Sequence, residues 1–251
     1  MTFIIIVLIL LIFLYYENNK IDISNYKITS NKIKNEDLKI LHLSDLHCKS
    51  FGKNQKYLIK KIKNLNPDII VFTGDLISRR VDKEKYINSY LLLEELSKTF
   101  PIYFTTGNHE YKSKALKEVQ EKLTSFGVHV LINNYEKFTI KNTEIFIFGF
   151  DDTSNFNESF NKTFNTLDNI KDKLKSSQLN ILLCHRPNFF KKQSSYGFDL
   201  IFSGHAHGGQ FRIPFTHQGI LMPDQGFFPK LTEGFHKDKN STLIISRGLG
   251  N

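Results

Sequence analysis

Nine histidines run through this 251-residue chain, and five of them fall in short polar clusters. The clusters are Asp45-Leu46-His47, Gly74-Asp75, Gly107-Asn108-His109-Glu110, Cys184-His185 and Gly204-His205-Ala206-His207. Each follows a short apolar run with the character of a β-strand. Strand ends that deliver Asp, Asn and His to one place are what a two-metal hydrolytic site requires. The class of chemistry is therefore legible, and the substrate less so.

Each cluster carries a different weight. Asp45 and His47 lie two apart just past a strand, so both side chains point the same way. An oxygen and a nitrogen ligand at that spacing can share one cation, though an Asp-x-His is common by itself. Asp75 follows a glycine that permits a tight turn. It is either the N-cap of that turn or a carboxylate bridging two metals. Asn108 is either a turn residue or the neutral oxygen ligand of a second metal. His185 closes the run Asn180–Cys184, where a lone histidine is more often structural. Gly204-His205-Ala206-His207-Gly208-Gly209 is the sharpest signal, because two histidines between glycines after a buried strand have little structural use. Five such clusters at separate strand ends are improbable by chance. His42, on the opposite strand parity from Asp45 and His47, and His129, His217 and His236, outside the clusters, read as packing or surface residues.

The elements that must carry these residues alternate. Strands are expected at 38–43, 68–73 and 101–106, with helices at 53–65, 83–98 and 113–126 between and after them. Pro67 ends the first of these helices. Strands at 128–133, 135–141 and 144–150 follow in quick succession, with Asn133-Asn134 and Lys141-Asn142 as turns. A polar loop is expected over 151–161, a helix over 162–176, and strands at 179–184, 198–203, 219–222 and 242–246. This pattern is α/β, and two packed mixed sheets flanked by helices accommodate it.

The chain is 40% hydrophobic with 23 Phe and no Trp, enough for one large core filled by Phe and Tyr. Its net charge of +9 fits a solvated Lys-rich surface or attraction to anionic headgroups or substrates. No block of Arg and Lys interleaved with aromatics is present, so nucleic acid is not an expected partner. Residues 3–16 are continuously apolar, shorter than the ~20 residues a spanning helix usually has. No basic residue precedes the run and no small-residue cleavage site follows, which disfavours a signal peptide. The run also has no polar face, which disfavours a core helix. Residues 1–20 are read as a transmembrane anchor, with Tyr15 and Tyr16 at the interface, and 21–37 as a linker or lead-in strand. Lys20, Lys27, Lys32, Lys34 and Lys39 follow the anchor and place the remainder on the cytoplasmic side. Cys48 and Cys184 agree with a reducing compartment and read as small space-fillers in the site walls.

The ordered set DxH, GD, GNHE, H and GHxH resembles the calcineurin-like metallophosphoesterase superfamily, from Leu38 to Asn251. The segments Gly204–Phe215, Pro223–Pro229 and Ser246–Asn251 are similar to its membrane-associated phosphodiesterase branch, often called YaeI-like or YkuE-like. Some members of that branch are UDP-2,3-diacylglucosamine pyrophosphatases. The resemblance implies a four-layer sandwich over 38–251 and two divalent ions, Mn, Fe or Zn. It implies that Asp45, His47 and His207 hold one metal, and Asn108, His185 and His205 the other, with Asp75 bridging. His109 would protonate the leaving oxygen, and Glu110 would orient it or tune its pKa. A hydroxide between metals ~3.5–4 Å apart would attack phosphorus in line.

The chain also departs from the family. Ser78 stands where many members carry a carboxylate or Asn after the GD. The GDxVDRG pattern of protein phosphatases is absent despite Arg79-Arg80. The chain ends at Asn251, where relatives usually continue into another strand. The expected activity is hydrolysis of a phosphodiester or pyrophosphate bond, in a lipid-linked or a soluble substrate. A silent metal-binding scaffold is the rival. Phe211, Phe215, Phe227 and Phe228 are either core residues or an apolar lip near the bilayer.

Overall fold

Thr2–Asn19 forms helix α1, apolar along its length with no residue buried. Its 18 residues have a mean hydropathy of 1.9, long and apolar enough to cross a membrane by length and composition. The structure is a computed structural model that describes residues 2–34, 36–152, 156–213, 216, 218–222 and 225–250. Phe215 and His217 lie outside the described residues, as do Pro214, Pro223, Asp224 and Asn251.

After α1 the described residues run without helix or strand to β1 (Ile40–Leu43). The chain continues through α2 (Lys56–Leu65), β2 (Ile69–Thr73), α3 (Ile87–Ser97), β3 (Ile102–Thr105), α4 (Asn108–Lys112), α5 (Leu116–Ser125) and β4 (His129–Val130). The second half holds β5 (Asn134–Ile140), β6 (Thr143–Phe150), α6 (Phe156–Ile170), β7 (Leu179–Cys184), α7 (Phe190–Gln193) and β8 (Leu200–Ser203). Two short strands, β9 (Leu221–Met222) and β10 (Gly226–Phe227), precede β11 (Gly234–Asp238) and β12 (Ser241–Ile245).

Strands β1-β2-β3-β4 form one sheet with every pair parallel. The second sheet runs β11-β12-β8-β7-β6-β5, parallel at its centre and antiparallel at both edges. Ile69, Val71 and Tyr103 of the first sheet pack on Ile145, Ile181 and Phe202 of the second. Leu58, Leu93 and Val119 of α2, α3 and α5 cover the outer face of the first sheet. Phe164, Leu167 and Phe190 of α6 and α7 cover that of the second. The result is helix, sheet, sheet, helix, because strands buried on both faces need apolar cover on each side. Ile181 is fully buried between the sheets. Ile181→Ala is expected to cost about 2–5 kcal/mol, read as a lower urea midpoint with unchanged slope.

Several boundaries shift. The helix expected at 162–176 occupies Phe156–Ile170, so most of the expected polar loop at 151–161 is helical. Phe156, Phe160, Phe164 and Leu167 recur at helical spacing, hidden by poor helix formers such as Asn and Ser. Only His129–Val130 of the expected strand at 128–133 pairs, since β4 is a sheet edge. The turn at Lys141-Asn142 has positive φ at both residues (47° and 59°), which suits the twist of the β5–β6 hairpin.

Candidate metal centre

The parallel strands of both sheets end at one edge of the sandwich, and every cluster falls there. Asp45 and His47 follow β1, Asp75 follows β2, and Asn108, His109 and Glu110 follow β3. His185 follows β7, while His205 and His207 follow β8. Asp45, His47, Asp75, His205 and His207 all have positive φ, from 45° to 65°. Such backbone costs roughly 1 kcal/mol or more per residue and persists only where the surroundings dictate it. Here the Asp45 N–H donates to Gly74 O (3.0 Å), the His47 N–H to Asp75 O (3.0 Å) and the Gly204 N–H to His185 O (3.0 Å).

Asp45, His47 and His207 bring one ligand atom each within 4.8 Å of one another, as do Asp75, His185 and His205. A third such group, His47, Asp75 and His109, overlaps the first two. His47 Nε2 and His207 Nε2 face each other at 3.1 Å, with Asp45 Oδ1 3.4 Å from His207 and Asp75 Oδ2 3.7 Å from His47. His205 Nδ1 lies 3.1 Å from His185 Nε2, which is 3.3 Å from the same Asp75 oxygen. Asp75 thus reaches both groups. Burial opposes its charge, but His185, His47 and His109 together hold it well below the usual carboxylate range. Burial would lower His185, yet the charge of Asp75 and its hydrogen bond hold the ring up at about 10. The His185 Nδ1 is fixed by the Thr73 carbonyl at 2.7 Å.

His109 stands beside these groups, its ring centroid 4.5 Å from that of His47. The Arg79 N–H donates to its Nδ1 at 3.2 Å. A neutral imidazole with Nδ1 accepting carries its hydrogen on Nε2. Burial holds His109 down at about 4, with Asp75 opposing. Glu110 is fully buried, and its carboxylate accepts the N–H groups of Asp75 (3.0 Å), Ile77 (3.2 Å) and Gly107 (2.8 Å). Those contacts staple the Asp75 turn to the His109 loop, and the group meeting the His109 ring nitrogen is the Arg79 amide instead. Burial, then the charge of Asp75, pushes Glu110 up to about 8.

The family model for calcineurin-like phosphoesterases matches residues 38–209. The chain belongs to that family. It is 30% identical over 241 residues to YkuE of Bacillus subtilis, an uncharacterised metallophosphoesterase, across 94% of this chain and 81% of that one. It is 29% identical to a zebrafish transmembrane protein with a metallophosphoesterase domain, over 85% of this chain and 48% of that longer protein. Among solved structures, TT1561 of Thermus thermophilus aligns over 85% of this chain and 91% of its own, with a TM-score of 0.56 at 10% identity. That likeness shows the fold.

Calcineurin-like phosphoesterases work with two divalent metal ions, and this chain is a phosphoester hydrolase of that kind. Its own donor set fits two such ions. Imidazole nitrogens converge in two pairs, each faced by buried carboxylate, the mixed nitrogen and oxygen set that divalent transition metals favour. His47 Nδ1 is buried with no hydrogen-bond partner among the described residues. Gly204 is obligatory beside this set, because an added Cβ would meet Ser44 Oγ and Asp45 Oδ2. Gly204→Ala is therefore expected to weaken Mn²⁺ binding by at least about ten-fold, measured by calorimetric titration.

Two residues of the site were not singled out from the sequence. Arg186, next to His185, is buried, with Nη2 3.5 Å from Asn108 Oδ1 and Nη1 3.4 Å from His205 Nε2. Asp152 receives its Nε at 2.8 Å. Asp151-Asp152 ends an apolar strand as the other clusters do, a signal masked by the polar stretch after it. Ser78 is buried, and its Oγ accepts the Arg80 N–H at 3.2 Å, a local turn contact. Cys48 and Cys184 are free and buried.

Proposed function

We propose that this phosphoesterase cleaves a phosphodiester or pyrophosphate bond in a lipid-linked substrate at a membrane surface, of the kind a UDP-2,3-diacylglucosamine pyrophosphatase cleaves. One observation carries this reading. The cleft lined by His47, Asp75 and His207 is also lined by Phe13 and Leu14 of α1. The cleft is long, but the foot of α1 is held at its metal end, where Lys49, two residues after His47, reaches Asn18 O. The name of the zebrafish relative agrees with an anchor in residues 1–20, ahead of a catalytic domain at 38–251. The +9 charge and the lysines after α1 favour the cytoplasmic side.

In this reading Asp45, His47 and His207 hold one cation, and Asn108, His185 and His205 the other, with Asp75 between them. Bound there, the cations supply Lewis-acid polarisation of a phosphoryl oxygen and a water acidic enough to attack at neutral pH. The protein residues supply position and protons. Thr73 O fixes the His185 ring, and Glu110 fixes the loops of Asp75 and His109. The Arg79 amide leaves His109 Nε2 as the donor facing the departing oxygen. An anionic phosphoryl group beside that ring favours its charged form, whose Nδ1 also carries a hydrogen, so the Arg79 N–H must turn away before the Nε2 proton is given. Asp152 aims Arg186 toward Asn108 and His205.

The test uses the full chain in lipid nanodiscs, stripped with chelator and reloaded with Mn²⁺. Metal-dependent hydrolysis of bis-p-nitrophenyl phosphate above p-nitrophenyl phosphate, and of an acylated sugar nucleotide above its deacylated form, is expected. Equal rates on the acylated and deacylated compounds would remove the lipid-linked reading.

A further inference from the structure

Three phenylalanines near the mouth of the cleft stand in water: Phe211, Phe227 and Phe228 are 69%, 75% and 61% exposed. They are not a slack loop. The Ile220 N–H donates to Phe211 O (2.7 Å), and Ile220 O accepts the Phe228 N–H (2.9 Å). Phe227 pairs with Leu221 in the β9–β10 hairpin, and Arg212 bridges Gly219. Phe228 has φ of 50°, a conformation a bulky aromatic residue rarely adopts. A backbone built this firmly to hold aromatic rings outward is unusual on a surface that meets only water.

The ridge shares its setting with the foot of α1. Phe211 lines the same cleft as Phe13, Leu14 and His207. The foot is tied to that rim by Lys49 Nζ on Asn18 O, Lys61 Nζ on Ile21 O (2.6 Å) and Arg247 Nη2 on Asp22 Oδ2 (3.3 Å). Around the rim, Arg79, Arg80 and Lys112 are exposed and line the cleft, and exposed Lys230 follows Phe228 by two residues. Exposed aromatic tips beside a cleft that basic side chains also line suit the boundary between headgroups and acyl chains of an anionic bilayer. A second copy of this chain would bring like charge against like, each at +9.

We propose that Phe211, Phe227 and Phe228 form a second membrane contact that inserts into an anionic bilayer and holds the mouth of the metal cleft against it. The inference rests on the membrane part of the proposed function and is independent of its chemistry. With α1 as its sole membrane contact, the domain could still tilt together with the foot of that helix. Two contacts on one rim fix its tilt, so the cleft meets the lipid surface.

The absence of tryptophan makes the test direct, because any Trp introduced is the sole indole. Full-length Phe211→Trp and Phe227→Trp are placed in phosphatidylcholine–phosphatidylglycerol vesicles, with and without brominated acyl chains. Phe13→Trp, in α1, reports insertion of the anchor. Phe126→Trp, just after α5 and before β4, lies at the end of the sandwich opposite the metal loops and serves as the control that stays out of the bilayer. Quenching of the two ridge indoles by about two-fold or more, with Phe126→Trp unaffected, is the expected result. Quenched Phe13→Trp with unquenched ridge indoles would overturn the second contact and leave the anchor standing. Unquenched Phe13→Trp with quenched ridge indoles would remove the anchor and keep the ridge as the membrane contact. Ridge indoles that leave water without bromolipid quenching would mean a protein partner or second copy, and would also overturn the proposal.

Discussion

His109→Ala is expected to lower kcat by about 10²- to 10⁴-fold on a diester whose leaving alcohol is weakly acidic. On bis-p-nitrophenyl phosphate the loss is expected to be far smaller. The reason lies in the leaving group. A nitrophenolate departs readily without a proton, whereas an alkoxide does not. If His109 delivers that proton, its removal penalises only the second kind of substrate. In the proposed function His109 gives a proton, and the alternative its place offers is to hold a metal with His47 and Asp75. The His109 Nδ1 is occupied by the Arg79 amide, so Nε2 alone presents a hydrogen to the cleft. The check is a plot of log kcat against leaving-group pKa for the native chain and the variant. A steeper slope in the variant supports proton donation. Parallel lines would mean that His109 only binds the phosphate.

Asp75→Asn is the second large effect. Asp75 Oδ2 lies 3.3 Å from His185 Nε2 and 3.7 Å from His47 Nε2, so this one carboxylate reaches both donor groups. Its other oxygen, Oδ1, accepts the His109 N–H at 2.8 Å and ties the acid loop to the metal loop. An Asn keeps the shape but loses the charge and one acceptor. Loss of an outer hydrogen-bond partner already costs metal sites about 10- to 100-fold in affinity, so loss of a shared ligand should exceed about 100-fold. Mn²⁺ binding by titration, with far-ultraviolet circular dichroism to confirm folding, measures it. Native-like affinity in a folded Asp75→Asn variant would exclude Asp75 as a ligand.

What was legible in the sequence follows from where the information is local. A residue at the end of an apolar strand announces itself, because strand and turn are both short-range patterns. That is why Asp45, Asp75, Asn108 and His205 could be singled out, and why the α/β architecture followed from the order of strands and helices. That two sheets pack together under flanking helices also followed, since strands buried on both faces must be covered twice, whereas the order of strands within each sheet did not. Contacts between distant segments were not legible. Nothing in Glu110 says that it will staple the Gly74-Asp75 turn, and nothing in Arg79 says that its backbone amide will meet His109. Arg186 and Asp152 meet across 34 residues, and Asp152 was read only as part of a polar loop. The start of helix α6 was obscured because its apolar spacing there is carried by residues set among Asn and Ser. β11 (Gly234–Asp238) was missed because an edge strand with alternating exposure carries few apolar residues. The exposure of Phe211, Phe227 and Phe228 was open in the sequence, and the backbone around Ile220 decides it.

Two groups of side chains, both reached by Asp75, are proposed to hold two cations that act together. The most direct test is an activity titration of the chelator-stripped chain against Mn²⁺ at protein concentrations well above the dissociation constant. Diesterase activity should reach its plateau only at the second equivalent, because one filled group cannot polarise both the attacking and the leaving side. A plateau at a single equivalent, or full activity in the stripped chain, would contradict the account.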